Sequence, residues 1–156
     1  MPRLTGASKP DAPEFRDYPG HRVALLEIEP YGGSIVLHLC EDIRAAFEES
    51  GLKGDLASVA EAFTWMSSAR MDVHVFYPEG PTVGTIAHES LHAVTEVLTK
   101  AGIEFCDHTE EVWAYHLQNV CDHTIDFAME VKNIVKNKAL TKNKPARRVK
   151  TSATQA

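Results

Sequence analysis

Residues 85–94, TIAHESLHAV, decide the fold, because they place His88 and His92 four residues apart around Glu89. In an α-helix, residues i and i+4 lie on one face a turn apart, so two imidazoles can bind one zinc ion at about 2.0–2.1 Å. Glu89 is rotated by about 100° around the helix axis from His88, so its carboxylate does not point to the position where the two histidines would bind the metal ion. The HExxH spacing therefore predicts two zinc ligands and a glutamate general base.

The flanking residues predict a helix of about 19 residues, capped by Thr82 and closed by Gly102 after Lys100. Apolar residues recur along it at i, i+3 and i+4; they are Val83, Ile86, Ala87, Leu91, Val94, Val97 and Leu98. Both histidines project about 100° or more from the centre of this stripe. We therefore expect them to flank the core and to line a cleft.

A zinc ion held by two histidines needs a third protein ligand, and a catalytic site leaves the fourth position to water. Eighteen residues separate His92 from Glu111, which stands in the segment TEEVWAYHLQNV, near the start of a second helix expected from about Glu110 to Val135. Acids in a first helical turn are also favoured by the helix dipole, whatever their function. Glu111 is the predicted third ligand, and the alternatives that stay open are Glu110, His108, His116 and Asp122.

The spacing HExxH-x18-E resembles that of the gluzincin metallopeptidases, and Glu111 with Ala114 is similar to the second-helix segment of their aminopeptidase branch. The segments GTIAHESLHAVTEVLTKAGIEF and TEEVWAYHLQNV also resemble small zincin-like proteins of tailed bacteriophages. The likeness covers residues 72–125. It implies an α+β zincin-like domain in which a short, mainly antiparallel sheet packs against the HExxH helix and a long C-terminal helix. The metzincin pattern does not fit, because Thr95 and Leu98 stand where it requires Gly and His.

The resemblance implies a zinc-dependent metallopeptidase with Zn²⁺ bound by His88, His92 and Glu111, and with Glu89 as the general base. No substrate-binding residue follows from the sequence. Candidates to stabilise the oxyanion are Tyr115, His116 and His123. The alternative is a non-catalytic zincin-like phage or host-interaction protein with a structural or vestigial metal site. The intact Glu89 favours catalysis, because a structural site needs no general base.

Residues 71–77, MDVHVFY, predict a half-buried strand with Val73, Val75 and Tyr77 on one side. By the same resemblance, we expect this strand to lie at the lip of the cleft, with an exposed edge that pairs with an extended peptide. An ordinary internal strand is the alternative. Upstream, two apolar stretches around residues 30–33 predict a hairpin, Asp42 predicts the cap of a short helix, and a further helix is expected over 56–63.

Composition predicts one domain with two separate ends. The chain has 156 residues, of which 44% are hydrophobic and 24% charged. We expect a disordered or loosely attached arm over 1–20, the zincin-like domain over 21–135, and a disordered basic tail over 136–156. Residues 132–156 hold eight of the 16 Lys and Arg and none of the 22 acids, so the rest of the chain carries 8 − 22 = −14. A basic tail of this kind can bind nucleic acid, an acidic partner or the acidic body of the same chain, or it can serve only to increase solubility.

Cysteine usage and hydropathy predict the compartment. The three cysteines lack CxxC spacing, and no apolar run suits a membrane span or a secretory signal. We expect a cytoplasmic protein, in the host cytoplasm if a phage encodes it. The zinc site must then be built from His and Glu. The oligomeric state does not follow from the sequence.

Overall fold

The computed structural model describes residues 15–18, 20–31, 33–54, 61–66 and 72–142. Most of the predicted arm and tail lies outside these ranges, as does most of the helix expected over 56–63. Five strands and three helices follow one another within the described ranges: β1 (Phe15–Tyr18), β2 (His21–Ile28), β3 (Gly33–Cys40), α1 (Ile43–Glu49), β4 (Phe63–Met66), β5 (Asp72–Pro78), α2 (Val83–Lys100) and α3 (Glu110–Lys142). The predicted α+β class is confirmed.

The described strands form one sheet in the order β1-β2-β3-β5-β4. The pairs β1/β2, β2/β3 and β4/β5 are antiparallel, whereas β3 and β5 are parallel. A parallel pair needs a crossover, and here the chain from α1 through β4 supplies it. The sheet is therefore mixed and mainly antiparallel, as predicted.

Helices α2 and α3 cover one face of the sheet and enclose the larger core. Each fully buried Val, Leu or Ile there contributes roughly 1.5–3 kcal/mol to folding. The buried strand residues are Ala24, Leu26 and Ile28 from β2, Ile35, Leu37 and Leu39 from β3, and Val73, Val75 and Tyr77 from β5.

The opposite face carries a smaller cluster under α1, formed by Cys40, Ala46, Phe47 and Phe76. The predicted cap is confirmed, because the Asp42 carboxylate accepts a hydrogen bond from the Ala45 N–H at 3.1 Å. Since α1 has only 7 residues, it leaves much of this face uncovered.

The bounds of α2 match the prediction, but its buried side does not. Thr82 caps the helix, and Gly102 has a φ of 76°, a left-handed conformation that suits glycine after a helix. Val83 and Leu91, predicted to be inside, are 71% and 50% exposed, whereas Glu89 is buried. The buried side is thus turned by roughly 50° from the predicted stripe, at 100° per residue. The sequence offered two overlapping stripes, and packing against the sheet selected one of them.

The expectation that β5 is an exposed edge strand is wrong. β5 pairs with β3 on one side and with β4 on the other, and its residues Val73, Val75, Phe76 and Tyr77 are fully buried. The edge position belongs to β4. The helix expected over 56–63 also ends too late, because Phe63 is the first residue of β4.

Helix α3 is longer than predicted. It runs for 33 residues and continues past the expected end at Val135 to Lys142. Where the domain ends and the tail begins stays a prediction. Among the helices in the described ranges, none has both the length and the apolar character needed to cross a membrane.

Candidate metal centre

The two motif histidines converge on the solvent-exposed side of α2. Their Nε2 atoms lie 3.2 Å apart, and the His88 side chain is 69% exposed. Two nitrogens that bind one tetrahedral zinc ion at 2.0–2.1 Å are separated by about 3.3 Å. The pair therefore has close to the geometry that two ligands of a single zinc ion require.

Glu89 lies between the histidine pair and the sheet. Its side chain is buried, and its Oε2 accepts a hydrogen bond from the Thr64 hydroxyl of β4 at 2.8 Å. The other oxygen, Oε1, is 4.0 Å from the His88 Nε2. Thr64 thus holds one carboxylate oxygen while the second faces the histidines, which is the arrangement that a general base beside a metal ion needs.

A cavity of about 300 Å³ opens between α2 and β4 beside this carboxylate. Within the described ranges no strand pairs with the outer edge of β4, so its backbone groups there can bond an extended segment. The cavity is lined by Ala62, Phe63, Thr64, Met66, Glu89, His92 and Glu96.

Glu111 is exposed in the first turn of α3, next to Glu110. In the part of the chain that the structure describes, no three or more His, Cys, Asp and Glu side chains are grouped so that they could hold a metal ion. The structure therefore brings His88, His92 and Glu89 together but does not bring Glu111 to them. The choice of Glu111 as third ligand stays a prediction from spacing.

The other candidates on α3 and the loop before it are dispersed. Tyr115 is 66% exposed, and no described contact joins it to the motif. His116 is buried with its ring edge-on to Tyr31, and this burial lowers its pKa. His108 and Asp122 are exposed, and His123 is half-buried. None of these three histidines, and not Asp122, is grouped with the histidine pair within the described ranges.

Sequence reasoning missed Thr64, the residue that holds Glu89. The two are 25 residues apart, and only the pairing of β4 with β5 brings them together. No motif could have revealed this. Sequence reasoning also missed Glu96, which lines the cavity beside Glu89. Its position four residues after His92 places it on the same helix face as that histidine.

No protein-family model, curated protein or solved structure matches the chain. The gluzincin resemblance therefore stays a prediction.

Proposed function

We propose that the protein is a zinc-dependent metallopeptidase with Glu89 as its general base. The observation that supports this most is the 3.2 Å approach of the His88 and His92 Nε2 atoms, with the Glu89 Oε1 at 4.0 Å from the first. At this distance the two nitrogens either share one hydrogen or point both lone pairs at a cation between them. Zn²⁺ prefers imidazole nitrogens in tetrahedral geometry, so the pair suits it.

Each described group has a part in this chemistry. A zinc ion at the histidines would lower the pKa of a bound water and polarise the carbonyl of the scissile peptide bond. The Glu89 Oε1 would take a proton from that water and pass it to the leaving amine. The hydrogen bond from the Thr64 hydroxyl to the Oε2 would keep the carboxylate oriented towards the histidines during the reaction.

The surroundings of Glu89 support a peptide as substrate. The outer edge of β4, unpaired within the described ranges, can accept an extended chain through backbone hydrogen bonds. The cavity beside Glu89 and His92 can then receive one side chain of that peptide. The peptide-binding role expected of β5 therefore passes to β4 in this proposal. Glu111 remains the proposed third ligand on its spacing alone.

One observation favours a second candidate, a non-catalytic zincin-like protein that acts through its basic tail. The described residues bring only two metal-binding side chains together, where a zinc hydrolase uses three. In that case the zinc site is structural or vestigial. Bound zinc with no peptide cleavage would distinguish this candidate from the peptidase.

The decisive experiment compares the wild type with Glu89→Gln. The variant keeps a hydrogen-bond partner for Thr64 and removes only the base, so we expect it to retain about one zinc ion per chain. Cleavage of a diverse peptide library should fall by roughly 10²–10⁴-fold. Zinc content is measured by elemental analysis and cleavage by mass spectrometry. Glu104→Gln, in the exposed loop before α3, is the matched control and should change neither quantity.

The possible outcomes separate the candidates. Cleavage that survives Glu89→Gln would contradict the role of Glu89. Wild-type protein that binds zinc but leaves the whole library intact would favour the non-catalytic candidate. Protein that takes up no zinc from a zinc-supplemented buffer would contradict both.

A further inference from the structure

Three histidines on neighbouring strands form a hydrogen-bonded row on the α1 side of the sheet. The His21 Nε2 lies 2.7 Å from the His38 Nδ1, and the His38 Nε2 lies 3.0 Å from the His74 Nδ1. His21 and His38 are buried, and His74 is half-buried. The three residues come from β2, β3 and β5 and do not belong to the metal centre.

Strand register produces this row. Val23 pairs with His38, and Val36 pairs with His74, so each histidine is diagonal to the next across the sheet. Diagonal neighbours lie about 7–8 Å apart at Cα, a distance that rings can bridge. The rings stack with centroids 5.0 and 5.2 Å apart, and His38 also stacks on Phe76 at 4.1 Å. Packing therefore fixes the ring orientations.

Counting hydrogens shows that the row has a direction. Each neutral imidazole carries one hydrogen and one lone pair. The two hydrogen bonds hold two of the three hydrogens, so the third sits at one end of the row, on the His21 Nδ1 or on the His74 Nε2. Once that end is chosen, every hydrogen in the row must point towards it.

The position of Glu49 decides which end of the row carries the third hydrogen. The His21 Nδ1 is buried and has no hydrogen-bond partner, and the nearest carboxylate oxygen is the Glu49 Oε2, 3.8 Å away on α1. The Glu49 side chain is 55% exposed and free to rotate closer. A hydrogen on this Nδ1 is attracted by the carboxylate, whereas a lone pair there is repelled. All three histidines are then Nδ1–H tautomers.

A groove of about 340 Å³ runs along the whole row and is lined by Glu49 and all three histidines as well as by apolar side chains of β2 and β3. No described residue bonds the His74 Nε2, which keeps its lone pair. We propose that Glu49, His21, His38 and His74 form a directed relay that makes the His74 Nε2 a proton-accepting site in this groove. One added proton sits on that atom and leaves both hydrogen bonds intact; a second would place two N–H groups face to face and break the row.

The charged surroundings agree with this order of protonation. Burial lowers the pKa of all three histidines, and for His38 to about 2, so the row is neutral near pH 7. Asp72 on β5 favours a charge on His74, and Glu49 favours one on His21. Among the described residues, Tyr18 stacks on His21, and Lys53 after α1 lines a second groove that also includes His74. Burial and the two neighbouring imidazoles all lower the pKa of His38, so it should be the last of the three to gain a charge.

Nitrogen-15 NMR of the histidine rings in the full chain tests the relay. Near pH 7.5 we expect His21, His38 and His74 to be Nδ1–H tautomers, and on acidification the His74 Nε2 should be the first of their nitrogens to gain a hydrogen. Glu49→Gln removes the charge that sets the direction and should shift His21 towards the Nε2–H form. Glu48→Gln, one residue earlier on α1, is the control and should leave all three tautomers unchanged. A His74→Gln spectrum assigns the His74 signals.

Three results would overturn the proposal. One is an Nε2–H tautomer at His21 in the wild type, because the hydrogens would then point the other way. Another is His38 gaining a proton before His74. The third is Glu48→Gln changing the tautomers as much as Glu49→Gln does. Since Glu48 and Glu49 are both exposed, neither substitution should prevent folding.

Discussion

Two groups of histidines lie on opposite sides of the molecule, and their surroundings differ completely. On α2, His88 and His92 face solvent with their Nε2 atoms 3.2 Å apart. Across the sheet, His38 is 2% exposed and bonds an imidazole on each side. The exposed pair is free to bind a cation from solvent, whereas in the buried row four of the six ring nitrogens bond one another. The same side chain is thus a candidate metal ligand in one place and a neutral packing residue in the other.

The difference is one of solvation. Burial disfavours the charged imidazolium because the protein interior solvates charge poorly, and for His38 it lowers the pKa to about 2. An exposed imidazole escapes this cost and can bind a cation that brings its own charge. Helix spacing placed the first group on the surface, and strand pairing enclosed the second.

The largest expected effect is on metal affinity at the exposed pair. His88→Ala or His92→Ala should weaken zinc binding by more than the roughly 10–100-fold that loss of a second-shell partner costs, because a direct ligand is removed. Isothermal titration with zinc measures this, and Glu104→Gln in the exposed loop before α3 is the control. Glu111→Ala should weaken binding more than Glu110→Ala. The reverse order would move the third ligand by one residue.

The free energy of unfolding should depend strongly on the buried row and hardly on the exposed pair. His38→Ala should lower the free energy of unfolding by roughly 3 kcal/mol, since it leaves a cavity and two broken hydrogen bonds in the interior. His88→Ala in zinc-free buffer should change it by less than about 0.5 kcal/mol, as for most surface substitutions. Urea denaturation followed by circular dichroism compares the two. Equal losses would mean that the two groups do not differ as described.

Lowering the pH should reduce the stability of the fold through the buried row of histidines. The folded pKa of His38 lies below its ordinary value of 6.5, so the unfolded chain binds a proton that the folded chain does not. The stability this histidine provides is therefore present above pH 6.5 and is lost as the pH falls below it, by about 1.4 kcal/mol per pH unit. Denaturation curves between pH 7.5 and 5 test this, and the slope should decrease in His38→Gln. A slope unchanged by that substitution would contradict the assignment.

The smallest effect is expected at the C-terminus. Truncation after Lys142 removes residues that follow α3, so the unfolding free energy and zinc content should stay within error of the full chain. Circular dichroism and elemental analysis are the measurements. The truncation removes four of the eight Lys and Arg in residues 132–156, so any salt-sensitive binding of the tail to nucleic acid should weaken. Binding of unchanged affinity would show that the residues after Lys142 do not contribute to it.

Local patterns in the sequence predicted much of the fold. The Asp42 cap, the bounds of α2 and the start of α3 at Glu110 were all predicted correctly, because each depends on residues within one or two turns. The buried side of α2 was not, since apolar periodicity allowed two overlapping stripes and only the sheet decided between them. The strand β4 was taken for the end of a helix, because a four-residue strand has too few residues to show its alternation.

The sequence by itself determined the i, i+4 spacing that puts the His88 and His92 nitrogens within reach of one ion, because helix geometry is local. Tertiary structure alone decided that Thr64 holds Glu89, that β4 rather than β5 is the edge strand, and that His21, His38 and His74 share a row. These contacts join residues 17 to 36 positions apart through strand order and register. Strand order and register depend on which apolar faces are buried together, and no short segment of the sequence contains that information.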